Sequence, residues 1–115
     1  MTSTGRQFHT CNRLKKPEEF KQVFSSKIRS GDKSFLFVAR KNGFNIARLG
    51  LTVPKKNIHQ SVKRNLIKRQ IRESFRLKKD QLGGLDIVVV VKQQPETDHT
   101  SLDMILNKHW NNISK

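Results

Sequence analysis

Phe20, Val23 and Phe24 recur at i, i+3 and i+4 behind Pro17, with Glu18 and Glu19 between. That spacing puts the three apolar side chains on one face of a helix. Proline is tolerated in a first turn, and acids favour the positive end of the helix dipole. A helix is therefore predicted from Pro17 to about Ser25–Ser26. The turn signal Ser30-Gly31-Asp32 follows, and the period then changes to two. In 34-SFLFVAR-40, Phe35, Phe37 and Ala39 share one face, and Leu36 and Val38 the other, as in a strand covered on both sides. In 47-ARLGLTV-53, Leu49, Leu51 and Val53 alternate with Arg48, Gly50 and Thr52. Asn42-Gly43 between them is a hairpin cue, lengthened by Phe44 and Asn45. Residues 28–30 suit a further short strand.

Pro54 ends the 47–53 strand, and a helical pattern with Ser61 as N-cap covers 61–79. Gly83-Gly84 marks the next turn, and 86-DIVVVVK-92 has the β-branched composition of a strand buried on both faces. Pro95 breaks it. Thr100 is the expected N-cap of a last helix, with Leu102, Ile105, Leu106, His109 and Trp110 on its inner face. The predicted order is α-β-β-(β)-α-β-α, an α/β arrangement in one layer, with no repeat or linker.

The stretch 63-KRNLIKRQIRESFRLKK-79 carries most of the information. At 100° per residue, Arg64, Lys68, Arg72 and Arg76 form an i+4 ladder, with Asn65, Arg69 and Lys79 beside it, over an arc of roughly 140°. Leu66, Ile67, Ile71 and Leu77 are expected opposite, with Phe75 at the border and Lys63 and Ser74 inside the apolar arc. A solvated helix face normally alternates its charges. Here Glu73 is the one acid, and like charges at i,i+4 destabilise an isolated helix. Such a face implies an external polyanion.

Composition strengthens that reading. The chain has 115 residues, enough for one domain spanning 1–115, with 1–13 expected as a flexible arm. Only 34% of residues are apolar, so the core is small, yet seven Phe and one Trp in regular patterns argue for folding. The net charge of +15 opposes compaction unless an anion answers it. Nucleic acid is the leading candidate, because each phosphate neutralised releases counterions. Regular basic spacing suits a helical phosphate backbone better than a membrane surface, and the apolar side of the helix is needed for the core. No apolar run approaches the ~20 residues that span a bilayer. The first residues lack the apolar stretch of a secretory signal, and Cys11 has no second cysteine to pair with. A cytoplasmic protein is expected.

Lys55 and Lys56 add charge just before the basic helix, and Lys16 stands at the start of the first helix. Phe20 and Phe24 have two readings: ordinary core residues, or rings exposed in a groove that stack on bases. Catalytic chemistry is not visible. The four histidines are scattered, His9 and Cys11 are too few ligands for zinc, and the acids form no acid–base pair. A DNA-reading helix is disfavoured by the scarcity of base-reading side chains other than Asn65 and the arginines. No second helix precedes it at helix-turn-helix spacing.

In order along the chain, 12-NRLKKPEEFKQVF-24, 50-GLTVPKK-56, 64-RNLIKRQIRESFR-76, 86-DIVVVVK-92 and the C-terminal amphipathic helix resemble the protein subunit of bacterial ribonuclease P. The resemblance implies an α-β sandwich with a four-stranded sheet, similar to the second domain of a small-subunit ribosomal protein. It also implies a left-handed βαβ crossover, which runs against the usual hand. It implies a ribonucleoprotein endonuclease whose RNA subunit, using magnesium, cuts precursor tRNA and releases the 5′ leader. The protein alone would be inactive. Carried over by position, Phe20, Phe24 and Lys16 would line a leader-binding cleft. Arg64, Asn65, Lys68, Arg69, Arg72 and Arg76, with Lys55 and Lys56, would contact RNA. The family's helix usually opens Arg-Asn-Arg; here Leu66 takes the third place and is expected to face inward. A non-catalytic ribosomal or RNA-assembly protein is the alternative.

Overall fold

The computed structural model describes residue 14 and residues 16–43, 45–93, 95 and 99–114. The expected arm over 1–13, with His9 and Cys11, lies outside the described residues. In chain order the elements are α1 (Pro17–Phe24), β1 (Ile28–Gly31), β2 (Phe35–Lys41), β3 (Arg48–Thr52), α2 (Ser61–Lys78), β4 (Leu85–Val91) and α3 (His99–Ile113). The short strand at 28–30 is present, and the other boundaries lie within a residue or two of the expected ones. Two caps differ. Ser61 is already helical, with Gln60 in the cap position and no side-chain cap bond. The last helix begins at His99, so Thr100 sits inside it.

The four strands form one mixed sheet in the order β1-β2-β4-β3. β1 and β4 each pair antiparallel with β2, and β3 pairs parallel with β4. The Asn42-Gly43 turn therefore does not close a hairpin between β2 and β3. Gly43 has the positive φ of 78° that its turn needs. The cue reads only that local geometry, whereas position in a sheet is decided by burial. β4 is buried at every residue but Val90 and takes the central place between its neighbours.

The helices cover both faces of the sheet, which makes this an α+β fold of three helices on a four-stranded mixed sheet. Phe35, Phe37 and Ala39 of β2, Leu49 of β3, and Ile87, Val89 and Val91 of β4 meet Ile67, Ile71 and Phe75 of α2 and Leu102, Leu106, Trp110 and Ile113 of α3. Trp110 packs edge-on to Phe37 at 4.7 Å between ring centroids, with Phe75 at 5.9 Å. The indole N–H donates to Ser74 Oγ at 2.8 Å, which satisfies the buried polar group. On the opposite face a smaller cluster joins Leu14 and Val23 to Val38 and Val88, with Phe20, Phe24, Leu36 and Val90 packed at its edge.

Candidate nucleic-acid interface

The smaller face is a partly covered floor. The strand register lines up Arg29, Val38, Val88 and Gly50 in one row, and Gly31, Leu36, Val90 and Thr52 in the next. α1 lies over the first row. A Cβ added to Gly50 would sit 2.6 Å from two atoms of the Phe20 ring. Glycine at this position therefore lets the aromatic ring lie directly on the strand backbone. Phe20 and Phe24 keep part of their surface in solvent, as do Leu36, Val90 and Thr52. The result is an apolar strip of sheet edged by two partly exposed aromatic rings. Lys16, exposed at the N-cap of α1, donates its backbone N–H to Glu19 Oε1 at 3.3 Å.

An ionic clasp fixes α1 over this floor, and the sequence gives little sign of it. Arg48 grips Asp86 through Nε and Nη2, both at 2.7 Å, and its Nη1 reaches Glu19 on α1 at 2.9 Å. Asn42 Nδ2 donates to the same Asp86 carboxylate at 2.9 Å. Asp86 is only 3% exposed, and these donors are what make its burial tolerable. Hydrogen bonding to Asp86 raises the Arg48 pKa further; partial burial opposes this, and the charges of Asp86 and Glu19 add to it. Arg40 adds a bond to Gln22 at 2.6 Å. Arg29 caps the C-terminal end of α1 through the carbonyls of Phe24 and Ser26, at 2.5 and 3.2 Å. These arginines position α1.

On α2, Asn65, Arg69, Arg72, Glu73 and Arg76 line one open pocket. Arg76 forms an ion pair with Glu73, whose hydrogen bond lowers the carboxyl pKa and raises that of the guanidinium. The expected ladder divides here. Arg64 is tied into the fold, donating from Nη1 to the carbonyls of Ile58 and His59 at 3.0 and 2.8 Å. Lys68 is half-buried on that flank, and Lys79, expected beside the basic face, is buried. Lys55 and Lys56 are exposed in the turn before α2. Asn57 anchors that turn by donating to the Val91 carbonyl at 3.0 Å. This places the two lysines at the end of the sheet where Leu36, Val90 and Thr52 leave the floor open.

The apolar side of α2 also needs correction. Its buried residues are Ile67, Ile71, Ser74 and Phe75. Leu66 and Leu77, expected inward, are 52% and 51% exposed, and Lys63 is exposed too. Phe75 belongs to the centre of the core, not to its border. Its ring and the Ser74–Trp110 bond rotate the helix so that the seam centres near Ile71. At 100° per residue, Leu66 and Leu77 then fall more than about 100° away.

His109 was assigned to the inner face of α3 and is buried there at 3% exposure. It stacks on Phe37 at 4.6 Å and bridges β1 to the following turn. Nδ1 lies 2.6 Å from Ser30 Oγ, and Nε2 lies 3.0 Å from Asp32 Oδ2. A carboxylate only accepts, so Nε2–H donates to Asp32. Burial of Asp32 acts to raise its pKa, but bonds from His109, Phe35 and Ser34 outweigh it and hold the carboxyl below its ordinary value. This group secures α3 to the sheet edge.

The family model described as Ribonuclease P matches residues 8–114. The chain belongs to the ribonuclease P protein family. The chain is 43% identical over 108 residues to the ribonuclease P protein component of Methylococcus capsulatus, covering 92% of this chain and 84% of that one. With the Aliivibrio fischeri component the identity is 41% over 104 residues, covering 90% and 89%. Among solved structures, the ribonuclease P protein of Staphylococcus aureus superposes with a TM-score of 0.77 at 28% identity, over 87% of this chain and 93% of that one. The Thermotoga maritima protein gives 0.72 at 29%, over 86% and 96%. The matched residues include α1, the clasp and the basic helix. Membership makes RNA the partner of the family's ribonuclease complex. Among the described residues, no helix is long and apolar enough to cross a membrane.

Proposed function

We propose that this chain, acting as a single RNA-binding unit, is the protein component of a cytoplasmic ribonuclease P holoenzyme that removes the 5′ leader of precursor tRNA. The catalytic RNA makes the cut and the protein alone does not. The observation that carries the reading is the pairing of two different surfaces on one small fold. The first is the face on which Phe20 and Phe24 stay partly exposed beside apolar strand residues, with exposed Lys16 at the start of the same helix. A single-stranded leader needs such π-faces and charge. The pocket of Asn65, Arg69, Arg72 and Arg76, with Arg64 and Lys68 on its flank, gives a structured RNA a basic ridge. Lys55 and Lys56 stand where the two surfaces approach each other.

In this reading magnesium, which the reaction requires, is held mainly by the RNA subunit, and the basic helix helps organise it near the cleavage junction. Among the described residues, no three His, Cys, Asp or Glu side chains gather into a set able to hold a metal.

The test is differential binding by the reconstituted holoenzyme. Phe20→Ala should weaken binding of precursor tRNA by about tenfold, the worth of one base–aromatic stack, and leave mature tRNA binding nearly unchanged. Equal weakening of both would remove the leader from the cleft. A protein that binds the RNA without promoting 5′ cleavage would favour an assembly role instead.

A further inference from the structure

We propose that Val62 and Leu66 form an apolar step on α2 that packs against an unstacked nucleotide of the RNA bound there. The inference rests on the RNA-binding reading above and adds to it a contact that is not electrostatic. Val62 is 77% exposed and Leu66 52%, and neither belongs to a core cluster. Four residues apart on a helix, their Cβ atoms are neighbours, ~6 Å apart. They also adjoin the basic pocket. Around the helix axis Arg69 lies about 20° from Val62 on one side and Leu66 about 40° on the other, with Asn65 just beyond Arg69. A partner seated on Asn65 and Arg69 must therefore also meet Val62 and Leu66.

The mixture of charge and apolar surface selects the partner. A wholly apolar surface, such as another protein's hydrophobic face, would have to desolvate the exposed Lys63 and Arg69 and offer them no acceptor, which is costly. A nucleotide presents phosphate to the cations and the flat face of a base or ribose to the aliphatic pair. Structured RNAs display such nucleotides in loops and bulges. The step therefore reads an irregular site in the RNA, where a base is turned out, and the arginines hold the backbone beside it.

The experiment measures binding of the full chain to a transcript of a bacterial ribonuclease P RNA over a salt series. Leu66→Gln is expected to weaken binding about fivefold to tenfold, the worth of burying a half-exposed leucine side chain. Its dependence of log K on log salt should match the wild type, because no phosphate contact is lost. Arg69→Ala in parallel should reduce that slope by about one. Both variants should melt close to the wild type, since neither side chain is in the core. Wild-type affinity for Leu66→Gln overturns the inference, as does a slope change equal to that of Arg69→Ala. A wild-type dimer that Leu66→Gln dissociates in sedimentation would assign the step to a second copy of the chain and also overturn it. If the wild-type chain fails to bind the transcript, the RNA-binding reading itself falls, and that result is distinguishable from the others.

Discussion

A methyl group at position 50 has nowhere to go. Two atoms of the Phe20 ring stand 2.6 Å from where it would sit, and Leu14 Cβ is 3.3 Å away. Gly50→Ala must therefore lift α1 or turn the ring. The expected cost is about 1–3 kcal/mol of stability, as for other overpacked sites. In thermal unfolding, Phe20→Ala introduced together with Gly50→Ala should recover part of that loss, because the second change removes the obstacle the first one meets. A Gly50→Ala protein that melts like the wild type would show that the ring does not rest on the strand. Sequence periodicity places Gly50 on the same strand face as Arg48 and Thr52 but gives no reason for glycine there. The reason is a side chain far away in the chain, and spacing rules see only near neighbours. The Arg48–Asp86 pair was hidden for the same cause: each residue alone reads as an ordinary polar position on a strand.

Among the elements, α2 shows what a helical wheel can and cannot deliver. The run of positive charge, the existence of the helix and the inward place of Ile67 and Ile71 were legible from spacing alone. The rotation about its axis was not. Ser74 reads as an intruder in the apolar arc, yet it accepts the Trp110 indole N–H inside the core. Ser74→Ala should leave that donor buried and unpaired, at an expected cost of about 1–3 kcal/mol in urea unfolding. A neutral substitution would mean that the indole finds another acceptor. Once Ser74 and Phe75 are inside, Leu66 and Leu77 must turn outward, and Arg64 is brought against the carbonyls of the preceding loop. The core therefore decides which arginines are left to face a partner.

For the whole molecule, +15 on 115 residues is a load that the fold carries in a compact body with a radius of gyration of 13.5 Å. Salt should act on it in two opposite directions. It screens self-repulsion, so the melting temperature of the free chain should rise from low to physiological salt. A melting temperature that falls over this range would locate the stability in surface ion pairs instead. RNA binding should weaken over the same range as counterion release loses its advantage. The sheet order has a separate consequence for how the protein is made. β2 and β3 do not touch each other as neighbours; each gains its inner partner only when β4, residues 85–91, is in place. A growing chain that has completed α2 has only the β1–β2 pair to pack it on, without the central strand. The basic helix thus exists as sequence well before it exists as a positioned surface. Folding has to wait for pairings between distant parts of the chain, which makes it slow for its size and delays completion of the sheet until β4 has been made.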